Sequence, residues 1–199
     1  MKKIIYLLSL VFFGCSHPDI IVCAGNSLTQ GQGAIKSYPE QLQKLVKGEV
    51  HNDGIGRQTT EQMAESRMVD DWYDKGSRCI LVAWEVGNDI YFHGHPIEAV
   101  KRFEKYCNDY RAKGWIVIAL TLSPRKGSVK YQLQLDTANS LLRVNHSSYC
   151  DELVDLKADP RLSKITLKYW NEDSIHLNDS GYAVVAELVS RAIKKLPPK

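Results

Sequence analysis

Residues 19–31 read DIIVCAGNSLTQG. The apolar run Ile20–Cys23 predicts a buried strand, and the strand ends in Gly25, Asn26 and Ser27, residue types that turn a chain and expose a hydroxyl. Two readings compete for Ser27. It caps a helix that follows the strand, or it is a nucleophile set at the strand's carboxyl end. The remainder of the chain has to supply partners for the second reading.

Four further runs resemble the first: a weaker GEVHNDG (48–54), CILVAWEVG (79–87), WIVIALTL (115–122) and DELVDL (151–156). Amphipathic stretches separate them, predicting helices over 38–47, 59–74, 96–113, 129–147 and 178–195. In the stretch from Pro96, residues Ile97, Val100, Phe103 and Cys107 recur at helical spacing, Pro96 suits a first turn and Gly114 a stop. The last helix opens on a capping Asn178 or Asp179 and ends in lysines, as the helix dipole favours. Alternating βα units give an α/β fold, a three-layer α/β/α sandwich around a five-stranded parallel sheet. In such sheets, sites form beyond the carboxyl ends of the strands.

The chain has 199 residues, room for one domain, expected over 19–196. With 25% charged and 44% hydrophobic residues it has the composition of a folded globular protein rather than a disordered one. Its net charge of +3 falls to about +1 without Lys2 and Lys3, which excludes a nucleic-acid footprint. Those lysines open a segment with an apolar run from Ile4 to Phe13 and small residues after it, the layout of a signal peptide over 1–15. Gly14-Cys15 also fits a lipobox, in which Cys15 is lipidated; ordinary cleavage after Gly14-Cys15-Ser16, a small-x-small site, is the alternative. Either route predicts an exported protein of the bacterial cell envelope, with membrane contact only through a lipid on Cys15. Cys23 and Cys79 lie in apolar runs, where free buried thiols are common.

Polar clusters follow the strands. Gly25-Asn26-Ser27-Leu28 follows the first, Gly54 and Gly56 the second, and Gly87-Asn88-Asp89 the third, while Asp173 precedes His176 by three residues near the end. With 13 Asp and 6 His, about 0.4 Asp-x-x-His pairs arise by chance, so this pair carries weight only through its place before the last helix and its company.

As a set, the clusters resemble the four blocks of the SGNH hydrolases, also called GDSL esterases and lipases, which have a flavodoxin-like α/β/α fold. The Gly-Asp-Ser-Leu block stands here as Gly25-Asn26-Ser27-Leu28, with Asn for Asp. The Gly-x-Asn-Asp block is VGND, giving Asn88, and the Asp-x-x-His block is Asp173 and His176. The family's Asn-x-Gly-x-x-Gly-x-Thr, counted from Asn52, lands on Arg57, with Gly56 one residue early. Gly56 is preferred, because a position of positive φ penalises Arg and not Gly.

The resemblance implies a serine esterase without cofactor or metal. Ser27, Asp173 and His176 would be nucleophile, orienting acid and base; Ser27 N–H, Gly56 N–H and the Asn88 side chain would form the oxyanion hole. The substrate class it implies is an acyl ester on a small molecule or glycan, with O-acetylated carbohydrate first, and lysophospholipid or acyl thioester as alternatives. A glycan-binding surface lipoprotein without turnover is the reading from another class. YFHGHP offers His93 and His95, too few for a metal; Tyr91, Phe92 and His93 read instead as a loop along the substrate cleft. Trp84 reads as core, and Tyr169 with Trp170 as an aromatic wall or as packing.

Overall fold

The computed structural model describes residues 17–198. The expected leader over 1–15, Cys15 included, lies outside the described residues. Five strands, β1 (Ile20–Gly25), β2 (Glu49–Gly54), β3 (Cys79–Trp84), β4 (Ile116–Leu120) and β5 (Glu152–Val154), form one parallel sheet in the order β2-β1-β3-β4-β5. The helices are α1 (Ser27–Gln30), α2 (Tyr38–Leu42), α3 (Thr60–Ser66), α4 (Gly87–His93), α5 (Pro96–Ala112), α6 (Val129–Tyr149) and α7 (Asp179–Lys195).

Side chains alternate across the sheet, as the two-residue period of a strand requires. Ile21, Cys23, Ile80, Val82, Trp84, Ile118 and Leu120 face the layer of α2 and α7, joining Tyr38, Leu42, Tyr182, Val185 and Val189. Val22, Ala24, Leu81, Ala83, Val117 and Ala119 face the other layer, with Val100 and Phe103 of α5 and Leu135 and Leu142 of α6. Strands apolar on both faces read as unbroken hydrophobic runs, which is why β1, β3 and β4 stand out in the sequence. Trp84 is core, edge-on to Tyr38 at 5.8 Å. Trp170 is core as well, its indole N–H donated to the Pro124 carbonyl at 3.2 Å.

Three expected elements differ. The helix expected over 59–74 stops at Arg67, whose φ of 52° breaks the α-helical path, and a 3-10 turn, Met68–Trp72, follows. The helix expected over 38–47 ends at Leu42. Tyr91, Phe92 and His93 are not a loop: they form the last turn of α4, closed by Gly94 at φ 70°.

Register sets the level of the site. Gly25 pairs with Gly54 on one side and with Trp84 on the other, so the residues after β1, β2 and β3 leave the sheet together. The chain also changes direction across the sheet between β1 and β3, the switch point where α/β sheets open a crevice.

Candidate active site

Gly25 is needed for close approach rather than for the turn. A Cβ there would lie 2.4 Å from both the Thr29 hydroxyl and the Trp84 carbonyl oxygen, and its φ is not positive. Asn26 is the N-cap of α1, its Oδ1 accepting from Leu28 N–H at 2.9 Å. Capping is therefore the work of Asn26, and Ser27 turns its hydroxyl elsewhere: Oγ lies 2.9 Å from Nε2 of His176.

His176 is held by a loop closed at its base. Trp170 and Leu177 form an antiparallel bridge, and Asn171 N–H donates to the His176 carbonyl at 2.9 Å. Within the loop Asp173 Oδ1 accepts from the main-chain N–H groups of Ile175 and His176 at 2.8 and 2.9 Å, and Oδ2 lies 2.6 Å from His176 Nδ1. Partial burial raises the Asp173 carboxyl, but these hydrogen bonds outweigh it and hold the group below the usual carboxylate range. Asn178 then caps α7 through Gly181 N–H, so cap, loop and histidine form one hydrogen-bonded unit.

Asn88 sits in the first turn of α4, 8% exposed, with Nδ2 donating to the Gln58 carbonyl at 3.0 Å. That bond ties the third-strand loop to the Ile55–Gln58 turn after β2, where Gln58 N–H donates to the Ile55 carbonyl at 3.2 Å. Among the described residues, neither Gly56 nor Arg57 gives its main-chain N–H to a protein acceptor. The premise that favoured Gly56 does not hold: the positive φ of this turn, 66°, belongs to Arg57, and that of Gly56 is not positive. Asp89 is structural, accepting from Thr60 N–H and Oγ1 and from Arg102 Nε at 2.9, 2.7 and 3.0 Å. His93 and His95 are exposed, and no group of three metal-ligating side chains is placed to hold an ion among the described residues.

Beside the site an open groove of about 860 Å³ is lined by Gly56, Arg57, Gln62, Phe92 and His93 among others, with the Arg57 guanidinium 5.7 Å from the Phe92 ring centre. One buried group went unassigned in the sequence. Glu85, at the end of the run CILVAWEVG, accepts from the Asn26 side chain and from Asn88 N–H. An acidic residue in an otherwise apolar run was the available signal.

A family model for the GDSL-like lipase/acylhydrolases matches residues 23–184, which span every element from β1 into α7. The chain belongs to the GDSL-like lipase/acylhydrolase family. That family consists of ester-hydrolysing enzymes, and the chain is a hydrolase of this kind. No curated protein sequence matches it. Among solved structures it is similar to a lipolytic G-D-S-L family protein from Veillonella parvula (17% identity, 89% of this chain and 99% of that one, TM-score 0.72). It is similar also to the acetyl xylan esterase AlAXEase (20%, 87% and 99%, 0.67) and to the family 3 carbohydrate esterase of Clostridium thermocellum (16%, 88% and 95%, 0.66). At such identities the likeness is one of fold.

Among GDSL-like chains this one departs at the turns that frame the site. Asn26 replaces Asp, Val86 stands at the Gly of Gly-x-Asn-Asp, and Arg57 at the second Gly of the glycine block. Val86 has φ 87° and Arg57 φ 66°, the left-handed region that explains a glycine at each place. A side chain there stores about 1–3 kcal/mol of strain. Val86 offsets part of that by full burial in the α5–α6 layer.

Proposed function

We propose that the chain is an exported serine esterase in which Ser27 is the nucleophile, His176 the base and Asp173 the orienting acid. The observation that supports it is the unbroken line from Ser27 Oγ to His176 Nε2 at 2.9 Å and from Nδ1 to Asp173 Oδ2 at 2.6 Å. His176 takes the hydroxyl proton as Oγ attacks the ester carbonyl, and returns it to the leaving alcohol. Water then repeats the sequence on the acyl-enzyme. Asp173, held ionised, fixes the Nδ1–H tautomer, so Nε2 presents its lone pair to Ser27.

The developing oxyanion is met by Ser27 N–H, by the Asn88 amide and by the Gly56–Arg57 turn, where neither N–H group has an acceptor among the described residues. Gly56 was the expected donor; Arg57 has the backbone conformation of the family's glycine and is the better candidate. Asn88→Ala is expected to lower kcat by about a hundredfold to a thousandfold, the effect of losing one such donor, with KM changed far less. Measurements of kcat and KM on a nitrophenyl ester check this, with circular dichroism to confirm folding.

For substrate the proposal is an O-acetyl group on carbohydrate. Two features support it: carbohydrate-acetyl esterases are among the similar folds, and the adjacent groove combines a half-exposed aromatic ring at Phe92 with polar side chains. Export rests on the 1–15 pattern. A fluorophosphonate probe should label Ser27 in the folded protein, and a panel of acetylated sugars, lysophospholipids and acyl thioesters should be turned over in that order of preference. A folded protein that reacts with no probe and no ester sinks the esterase reading; preference for a lysophospholipid or thioester moves only the substrate.

A further inference from the structure

Glu85 is 0% exposed and has no part in the chemistry above. Its two oxygens take donors from both sides of the site. Oε2 accepts from Nδ2 of Asn26, and Oε1 accepts from the main-chain N–H groups of Asn88 at 2.9 Å and Asp89 at 3.3 Å. One carboxyl therefore joins the residue before Ser27 to the residue whose side chain faces the oxyanion. Asn26 is committed at both ends, because its Oδ1 holds Leu28 N–H. The amide cannot flip without losing one bond or both.

The polarity of this contact is specific. With Oδ1 turned to α1, Asn26 can offer residue 85 only a donor, so position 85 must supply an acceptor. An Asp at position 26, as in the family's serine block, would set oxygen against oxygen, and two facing carboxyls cannot both ionise cheaply. The acid that the serine block lacks at position 26 stands instead at position 85. Burying a carboxyl is costly, and burial pushes Glu85 up to about 8, with Asp89 adding to the rise and Arg125 and the donors from Asn26 and Asn88 opposing it. An apolar residue of similar size would pack there at less cost if stability were all that mattered.

We propose that Glu85 is a positioning residue for ester hydrolysis: through Asn26 and Asn88 it holds the nucleophile and the oxyanion donor in register, with Asn26 and Glu85 acting as one reversible acid–amide pair. This rests on the roles proposed above for Ser27 and Asn88. The titratable and charged groups facing the pair are Asp89, itself held by Arg102, Arg125, whose guanidinium lies against Gly87, and Tyr131, whose hydroxyl donates to the Gly87 carbonyl at 3.2 Å.

Reversal of the pair tests it. In the double variant Asn26→Asp/Glu85→Gln, the carboxylate introduced at position 26 can keep Leu28 N–H and accept from the amide introduced at position 85, whose oxygen still accepts from Asn88 N–H. Every contact survives with one bond reversed. Glu85→Gln alone sets two donors face to face and should lower kcat on 4-nitrophenyl acetate by about tenfold to a hundredfold, with KM within about threefold of wild type. Asn26→Asp alone sets two carboxyls together and should lose activity more steeply as pH rises from about 6 to about 8.5, across the raised Glu85 value. The double variant should recover kcat to within about threefold and lose that steepness. Melting temperature, circular dichroism and the fluorophosphonate labelling rate of Ser27 are read alongside. The proposal is overturned if the folded single variants keep wild-type kcat and labelling rate, or if they lose only thermal stability. It is equally overturned if the double variant is as impaired as the two losses multiplied. A wild-type protein whose Ser27 takes no probe removes the esterase reading and this inference together, whereas a labelled, active wild type with unaffected variants removes this inference alone.

Discussion

Ser27→Ala is expected to reduce turnover of a short-chain nitrophenyl ester by on the order of a millionfold while leaving the fold in place. The chemical half of that expectation follows from the proposed role of the hydroxyl, which lies 2.9 Å from His176 Nε2. The structural half follows from the cap. Asn26, not Ser27, satisfies Leu28 N–H, and the Ser27 hydroxyl is turned to the histidine. Removing it takes nothing from the helix or the core, so circular dichroism and melting temperature should match wild type within a few degrees. A folded Ser27→Ala protein that hydrolyses the ester at the wild-type rate would refute the assignment outright.

Asp173→Asn is expected to lower kcat by about ten-thousandfold, again without unfolding. The carboxylate accepts from His176 Nδ1 at 2.6 Å and from two main-chain N–H groups. An Asn side chain can keep the main-chain bonds through its oxygen and turn its amide toward the ring. His176 is then driven to the tautomer with hydrogen on Nε2, which cannot accept the Ser27 proton. In the wild type, Asp173 is held below the usual carboxylate range. Its contribution to stability is therefore complete above that range and is lost as pH falls through the lowered value. Asp173→Asn should flatten this acid limb of a melting-temperature profile while leaving the neutral region alone. An unchanged kcat in the folded variant would show that another group orients the histidine.

Much of this was legible in the chain. Three of the four blocks fall directly after strands because a parallel sheet buried on both faces demands unbroken apolar runs, and each run ends where polar residues begin; the fourth, Asp173 and His176, precedes α7. Helices α5 and α7 were legible because 17 residues show the 3.6-residue period clearly. Helices α1 and α4, of four and seven residues, have too few turns to show it, so Tyr91–His93 read as loop. The break at Arg67 was hidden because no Gly or Pro marks its left-handed φ.

Sequence alone determined the α/β class, because unbroken apolar runs encode the strands, and through the family resemblance it singled out Ser27, Asn88, Asp173 and His176 as the candidates. It could not say which of Asn26 and Ser27 caps α1, which residue of the 55–58 turn takes positive φ, or that Glu85 lies between Asn26 and Asn88. The first two are settled by local backbone geometry, and the last by register: Gly25 opposite Gly54 and Trp84 brings three loops, up to 59 residues apart in the chain, within one hydrogen bond of each other. Only the assembled sheet fixes that level, since hydrogen bonds between distant segments depend on where strands pair and leave no local pattern in the residues that make them.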